Sequence, residues 1–191
     1  MNDKFKSGFI AVAGRTNVGK STLLNALIGQ KIAIVSDKPQ TTRNSIRLIR
    51  TTQTSQMIFI DTPGFHKPKN NLSDFMVKTA SSSVAQVDLI LFVVEEDVNI
   101  GRGDAFLIEK LKSCNVPVIL VINKIDKIPK QNLLEKIRLY SEYDFIKEIV
   151  PVSALKNDNI DTLVNVMEKY LPCGPMSVSY THLDVYKRQA C

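Results

Sequence analysis

Gly14-Arg15-Thr16-Asn17-Val18-Gly19-Lys20-Ser21 fits the spacing G-x-x-x-x-G-K-[ST]. Residues of these types in this order can wrap a phosphate group. Glycines let successive backbone N–H groups turn inward onto anionic oxygens, and a helix starting at the end of the loop adds its positive dipole. Lys20 is long enough to reach the β- and γ-phosphates of a nucleotide, and Ser21 carries a hydroxyl of the kind that ligates Mg²⁺. The motif needs a strand before it and a helix after it. Residues 9–13, Phe-Ile-Ala-Val-Ala, read as a buried strand, and Leu23, Leu24, Leu27 and Ile28 recur at helical spacing until Gly29 offers a stop.

A phosphate cradle alone leaves adenine and guanine open, and Asn123-Lys124-Ile125-Asp126 bears on that choice. It follows an apolar run at 116–122, at the end of a strand where ligands bind in α/β sheets. A carboxylate there can accept hydrogen bonds from guanine N1–H and its exocyclic amine. Adenine offers an acceptor at N1 and no amine beside it, so the carboxylate would be left facing a lone pair. Buried polar groups left unpaired discriminate strongly. Asp126 therefore points to guanine.

Asp61-Thr62-Pro63-Gly64 closes another strand. Its Asp can hold the Mg²⁺ shell, and the Gly64 N–H can meet the γ-phosphate, so the segment would sense the third phosphate. Residues 36–45 are polar and aperiodic, which suits a loop ordered only by ligand. Its Thr41-Thr42-Arg43 offers a hydroxyl for Mg²⁺, with Thr42 preferred. Ser153-Ala154-Leu155 follows the last strand, where backbone amides could meet the guanine O6. No catalytic His, Cys or carboxylate pair stands out, and His66 reads as an exposed loop residue. Phosphoryl transfer needs little covalent help, so positioning and charge compensation suffice.

The elements that must position these loops alternate along the chain. Strands are expected at 9–13, 45–50, 57–61, 87–94, 116–122 and 148–152, and helices at 21–28, 72–84, 104–112, 131–142 and 160–170. In the last helix Ile160, Leu163, Val164, Met167 and Leu171 form an apolar stripe, with Asn159 as N-cap. In the one before it, Leu133, Leu134, Ile137 and Tyr140 make the expected buried stripe, with Pro129 just upstream. Near-continuous apolar strands between amphipathic helices predict a six-stranded, mostly parallel α/β sheet covered on both faces. The short polar connection at 51–56 makes 45–50 and 57–61 an antiparallel hairpin at the edge.

With 191 residues, the chain suits one domain with a full core. No apolar run reaches membrane-spanning length, and the N-terminus lacks the apolar segment of a signal peptide. Cys114, Cys173 and Cys191 are odd in number and far apart, which argues against a disulfide frame or zinc site and fits a reducing cytoplasm. The net charge of +6 is spread along the chain without an aromatic-interleaved basic stripe, so charge alone does not indicate an RNA binder. After Leu171-Pro172 the helical pattern stops. Residues 177–191 show no periodicity or core pattern and read as a disordered, non-native tail, which leaves 1–176 as the domain.

Five motifs in this order resemble the TrmE–Era–EngA group of GTPases, and among them the Era family. Gln40-Thr41-Thr42-Arg43, Asp61-Thr62-Pro63-Gly64-Phe65-His66 and Thr79-Ala80-Ser81-Ser82-Ser83-Val84 carry the closer likeness. It runs from about Lys6 to Met176. The resemblance implies a three-layer P-loop GTPase fold, GTP and GDP as ligands, Mg²⁺ as cofactor, and GTP hydrolysis coupled to maturation of the small ribosomal subunit and its RNA. It also implies a cytoplasmic protein that can associate peripherally with the inner membrane. The residue after Gly64, where Ras-like enzymes place a water-orienting glutamine, is Phe65. Asn17 resembles an asparagine that in related GTPases helps hold K⁺ beside the phosphates; it equally suits a tight turn.

One feature departs from that family, whose members carry an RNA-binding KH domain with a G-x-x-G loop. None of the 8 glycines here are three apart. The chain reads as a G domain alone, with RNA binding belonging to the longer parent protein. Two alternatives stay open at this point: the G domain of a tRNA-modifying GTPase of the same group, and an RNA- or ribosome-binding module in which nucleotide only gates partner affinity.

Overall fold

The computed structural model describes residues 5–29, 33–35, 47–60, 87–95, 97 and 99–177. Strands β1 (Lys6–Ala13), β2 (Ala33–Val35), β3 (Arg47–Thr51), β4 (Ser55–Ile60), β5 (Leu89–Val94), β6 (Val118–Ile122) and β7 (Ile146–Pro151) form one sheet in the order β2-β3-β4-β1-β5-β6-β7. Around it lie helices α1 (Lys20–Ile28), α2 (Arg102–Lys112), α3 (Lys130–Ser141) and α4 (Ile160–Tyr170). All six expected strands are present. The three-residue β2 pairs antiparallel with β3 and extends the sheet beyond the six-stranded expectation. β3 is the one strand that runs against the rest, paired antiparallel with β4, while β4-β1-β5-β6-β7 are parallel throughout. The expected helix at 72–84, and the segments 40–43, 61–66 and 79–84, lie outside the described residues.

Alternation along the strands builds the layers. In β5, Leu89, Leu91 and Val93 face a core shared with Leu23 and Leu27 of α1 and Leu163 and Met167 of α4. Ile90, Phe92 and Val94 face the other core, with Leu107, Ile108 and Leu111 of α2 and Tyr140 of α3. The central strands β5 and β6 are thus apolar on both faces, the pattern a parallel sheet covered by helices requires. Burying side chains of this size contributes about 1.5–3 kcal/mol each. The Phe92 and Tyr140 rings meet edge to face at 6.3 Å. Among the described residues no helix is long and apolar enough to cross a membrane.

Helix ends follow local chemistry. Gly29 stops α1 as expected: at φ 62 its N–H turns back to the Asn25 carbonyl. Arg50 of β3 adds a hydrogen bond from its guanidinium to the Leu27 carbonyl, a cation at the negative end of α1. One expectation is met in position but not in bonding, and one fails. Asn159 occupies the N-cap position of α4, but its side chain makes no cap bond. Its left-handed backbone turns the amide away, and Nδ2 donates to the Pro151 carbonyl at 2.8 Å. In α3, Leu134 points outward, with 67% of its surface exposed, and Lys136 takes a buried place in the stripe with Leu133, Ile137 and Tyr140.

The Lys136 ammonium donates to the carbonyls of Glu95 and Asp97, in the segment after β5. Its stem passes the Tyr140 ring, with Nζ 5.9 Å from the centroid. Burial pulls the Lys136 pKa down, partly offset by Asp104, Asp97 and Glu95. Lys136→Met keeps the stem and removes both hydrogen bonds, leaving the carbonyls of Glu95 and Asp97 without that donor. It should destabilise the fold by about 3 kcal/mol. Urea unfolding would show this as a lower midpoint with an unchanged slope.

Candidate functional site

The parallel strands deliver their loops to one edge of the sheet. β1 leads into Gly14, β5 into Glu95, β6 into Asn123 and β7 into Ser153. β1 lies between β4 and β5, where the strand order reverses direction, and such a switch point opens a crevice at the carboxyl ends.

The 14–21 loop is held by backbone shape. A Cβ on Gly14 would run into the Val93 carbonyl, and one on Gly19, at φ 92, would run into the Asn123 amide. Asn17 sits at φ 67, a conformation that its short polar side chain tolerates. The first helical bond of α1 runs from the Leu23 N–H to the Gly19 carbonyl at 2.8 Å. The N–H groups at the start of the helix precede that bond and can receive an anion. Lys20 Nζ donates to the Gly14 carbonyl at 2.9 Å and to the Arg15 carbonyl, so the ammonium lies across the loop. Thr16, Asn17 and Ser21 are exposed, while Val18 is buried in the core. An exposed hydroxyl one residue beyond Lys20 suits a hard oxygen-seeking cation, so Ser21 fits Mg²⁺.

Asn123 joins the loops. It is 2% exposed; Nδ2 donates to the Val18 carbonyl at 2.9 Å, and Oδ1 accepts the Ala154 N–H at 3.1 Å. One amide side chain therefore ties the phosphate loop to the loop after β7. Lys124 follows at φ 63, and its Nζ meets Glu95 Oε2 at 2.8 Å. Asp126 lies exposed in a 3₁₀ turn, Ile125–Lys127. Its Oδ1 accepts the Ser153 hydroxyl at 2.6 Å, and that bond holds the Asp126 carboxyl below its usual range. Ser153 is 1% exposed, and its Oγ also accepts the Lys156 N–H at 3.2 Å. Ala154 is buried and Leu155 is exposed.

The described site residues thus converge: Gly14 to Ser21, Asn123, Lys124, Asp126, and Ser153 to Leu155 share one edge. Thr42, Asp61, Thr62, Pro63, Gly64 and Phe65 lie outside the described residues. Four residues beside the site carried no sequence motif that singled them out. Glu95 and Asp104 pair with Arg15, Lys136 pins the chain at Glu95, and Gly101 begins α2. Two glycines flanking one residue just before an Asp, at a helix start, were the available signal.

A parallel sheet with these loops at its carboxyl edge is the architecture of a P-loop GTPase, and the chain belongs to the family described as 50S ribosome-binding GTPase, matched over residues 9–124. Within that family its similarity is to Era. It is 55% identical to GTPase Era of Clostridium kluyveri over 89% of its own length, and covers 58% of that protein. A crystal structure of Aquifex aeolicus Era, a variant bound to GDP·AlF4⁻, superposes with a TM-score of 0.72 at 41% identity, over 92% of this chain and 60% of that one. Era in complex with MgGDPNP and nucleotides 1506–1542 of 16S ribosomal RNA matches with the same score, identity and coverage. The chain therefore spans somewhat over half the length of the relatives it matches.

If the Ser153 hydroxyl orients Asp126 as a charged acceptor, Ser153→Ala should weaken GDP binding about tenfold at neutral pH. Without that bond the Asp126 pKa rises towards its ordinary value, so binding should fail at a higher pH on acidification. Fluorescence titrations of GDP between about pH 4 and 7 check both effects.

Proposed function

We propose that this chain binds guanine nucleotide at the carboxyl edge of its sheet and hydrolyses GTP, acting as the switch domain of an Era-type protein. The observation that carries this reading is the Asn123 cross-link, which sets the phosphate loop and the Asp126 carboxylate around one crevice. Guanine N1–H and the exocyclic amine would donate to Asp126. Of the backbone amides at Ser153 to Leu155, that of Leu155 would meet O6, since the Ser153 and Ala154 N–H groups donate to the Asp158 carbonyl and Asn123 Oδ1. Phosphate oxygens would accept the N–H groups of residues 14–21. Lys20 would exchange the Gly14 and Arg15 carbonyls for the β- and γ-phosphates. Mg²⁺ would be held by Ser21, with Thr42 and Asp61, and supplies charge compensation to the phosphate oxygens. Asn123 and Ser153 orient other groups as well as lining the site.

Gly64 is proposed to sense the γ-phosphate, with Thr62, Pro63 and Phe65 completing that segment. Phe65 has no hydrogen-bonding group with which to place the attacking water. Asn17, exposed in the loop, is proposed to help hold K⁺, offsetting charge as an arginine finger does. Hydrolysis should then be faster in KCl than in NaCl at equal ionic strength, and Asn17→Ala should remove the difference. Steady-state phosphate release in the two salts tests this, and equal rates in the parent chain would refute the cation role.

For the longer protein, the proposed role is assembly of the small ribosomal subunit and binding of its RNA, in the cytoplasm with peripheral contact to the inner membrane. The 16S RNA complex of a related Era supports the RNA partner. Similarity to Era over 89% of the chain disfavours the tRNA-modifying alternative. Residues 177–191 are proposed to be a tail outside a domain at 1–176; at that boundary Ser177 hydrogen-bonds to Ser7 Oγ at 2.8 Å.

The decisive experiment is Asp126→Asn, which replaces one acceptor with a donor. It should shift preference from guanine towards xanthine nucleotides in competition titrations. Retained preference for GTP over XTP would remove Asp126 from base recognition. Lys20→Ala should abolish turnover while the ligand-free unfolding free energy changes by no more than about 0.5 kcal/mol.

A further inference from the structure

Arg15 is the second residue of the phosphate loop, and its side chain leaves the crevice for a pocket at the start of α2. There its guanidinium pairs with Glu95 Oε1 and, through Nη1, with Asp104 Oδ2 at 3.3 Å. Two glycines make the room. A Cβ on Gly101 would lie 2.6 Å from Arg15 Nη1, and one on Gly103 would lie 2.8 Å from Arg15 Cδ. Gly101-Arg102-Gly103-Asp104 is thus a socket shaped around one arginine. Gly103 has a φ outside the left-handed range and lies within α2, so backbone conformation does not demand glycine there; the close approach of Arg15 does.

The socket reaches the base-recognition loop through Glu95. While Oε1 takes Arg15, Oε2 takes Lys124 Nζ at 2.8 Å. One carboxylate thereby bridges a residue of the phosphate loop and a residue of the Asn123–Asp126 segment. The Lys124 bond holds the Glu95 carboxyl below its usual range against the opposing effect of burial. Lys136 fixes the backbone of Glu95 from below. Asp104, 6% exposed, is pushed up by burial despite Arg15 and Lys136, and its Oδ1 has no hydrogen-bond partner among the described residues.

We infer that the Gly101–Asp104 socket and Glu95 form a latch that sets how long guanine nucleotide stays bound, by locking the phosphate loop to the base-recognition loop. The inference rests on the nucleotide-binding reading above. Arg15, Glu95 and Asp104 act as positioning residues: they hold the backbone of the loops that touch nucleotide. With the latch intact, ligand leaves only when two tethered loops open together. With it broken, only the Asn123–Val18 bond still tethers the two loops, and dissociation accelerates.

Dissociation of fluorescent GDP from the intact chain tests the latch. Glu95→Gln puts an amide donor against one of two cations, and Gly103→Ala displaces the Arg15 stem from the socket. Each should speed GDP release about tenfold. Gly103→Ala also discriminates this role from a structural one. Alanine favours a helix, so the ligand-free melting temperature should hold or rise while nucleotide is lost faster. Arg15→Gln combined with Glu95→Gln should accelerate release by less than the product of the single effects, because both remove one contact. Unchanged release in Glu95→Gln and Gly103→Ala, or single effects that multiply in the double variant, would overturn the latch. If the parent chain itself binds no GDP, the failure belongs to the nucleotide-binding reading instead.

Discussion

The site depends on one buried amide. Asn123 donates to Val18 in the phosphate loop and accepts from Ala154 in the loop after β7, so three segments far apart in sequence share a single side chain. Its own N–H is held by the Val94 carbonyl at 2.8 Å, which fixes it to the neighbouring strand. A buried amide has donors and acceptors to satisfy, and here both ends are used across loops. Serine or alanine could not span both partners. An aspartate would present a second acceptor to the Val18 carbonyl.

Around that tie, charge is arranged in a graded way. Lys20 lies over the loop mouth against backbone carbonyls, where an incoming anion can take it. Arg15 and Lys124 turn away and share Glu95, and with Asp104 on Arg15 two carboxylates offset the two cations at the rim. The crevice thus presents one lysine and a set of N–H groups to phosphate rather than three competing cations. Such partition favours geometric recognition of phosphate over indiscriminate attraction of anions, since point charges attract any anion whereas oriented N–H groups select by shape.

The sheet and its helices were largely legible in the sequence because strands apolar on both faces and helices with one apolar stripe are composition signals. The loop 14–21 and Asp126 were legible because their residue types have fixed spacing. Lys136 was not: reading a stripe by hydrophobicity selects Leu134 and rejects a lysine, although a long stem with its ammonium on two carbonyls packs in the interior. β2 escaped because three residues carry no period. Asn159 looked like a cap by type and position, but a left-handed backbone aims its amide elsewhere. For Lys136 the deciding partner came from a distant segment, which local pattern cannot contain. Asp126 was expected from its spacing alone, whereas its Ser153 partner became visible only where two loops meet.

The position of β1 has a consequence for how the chain acquires its structure. This first strand lies in the middle of the sheet, and its neighbours β4 and β5 come from residues 55–60 and 89–94. The Phe9 N–H is capped by the Asp88 carboxylate 79 residues later, and Lys6 reaches the Glu168 carbonyl 162 residues away. Pairings of such long range must close large loops before any contact rewards them, so the fold belongs to the slow, non-local class. During synthesis the phosphate loop emerges early, yet the strand that carries it stays unpaired on one side until β5 has been made. Nucleotide-binding competence is therefore a late event in the folding of a segment made first.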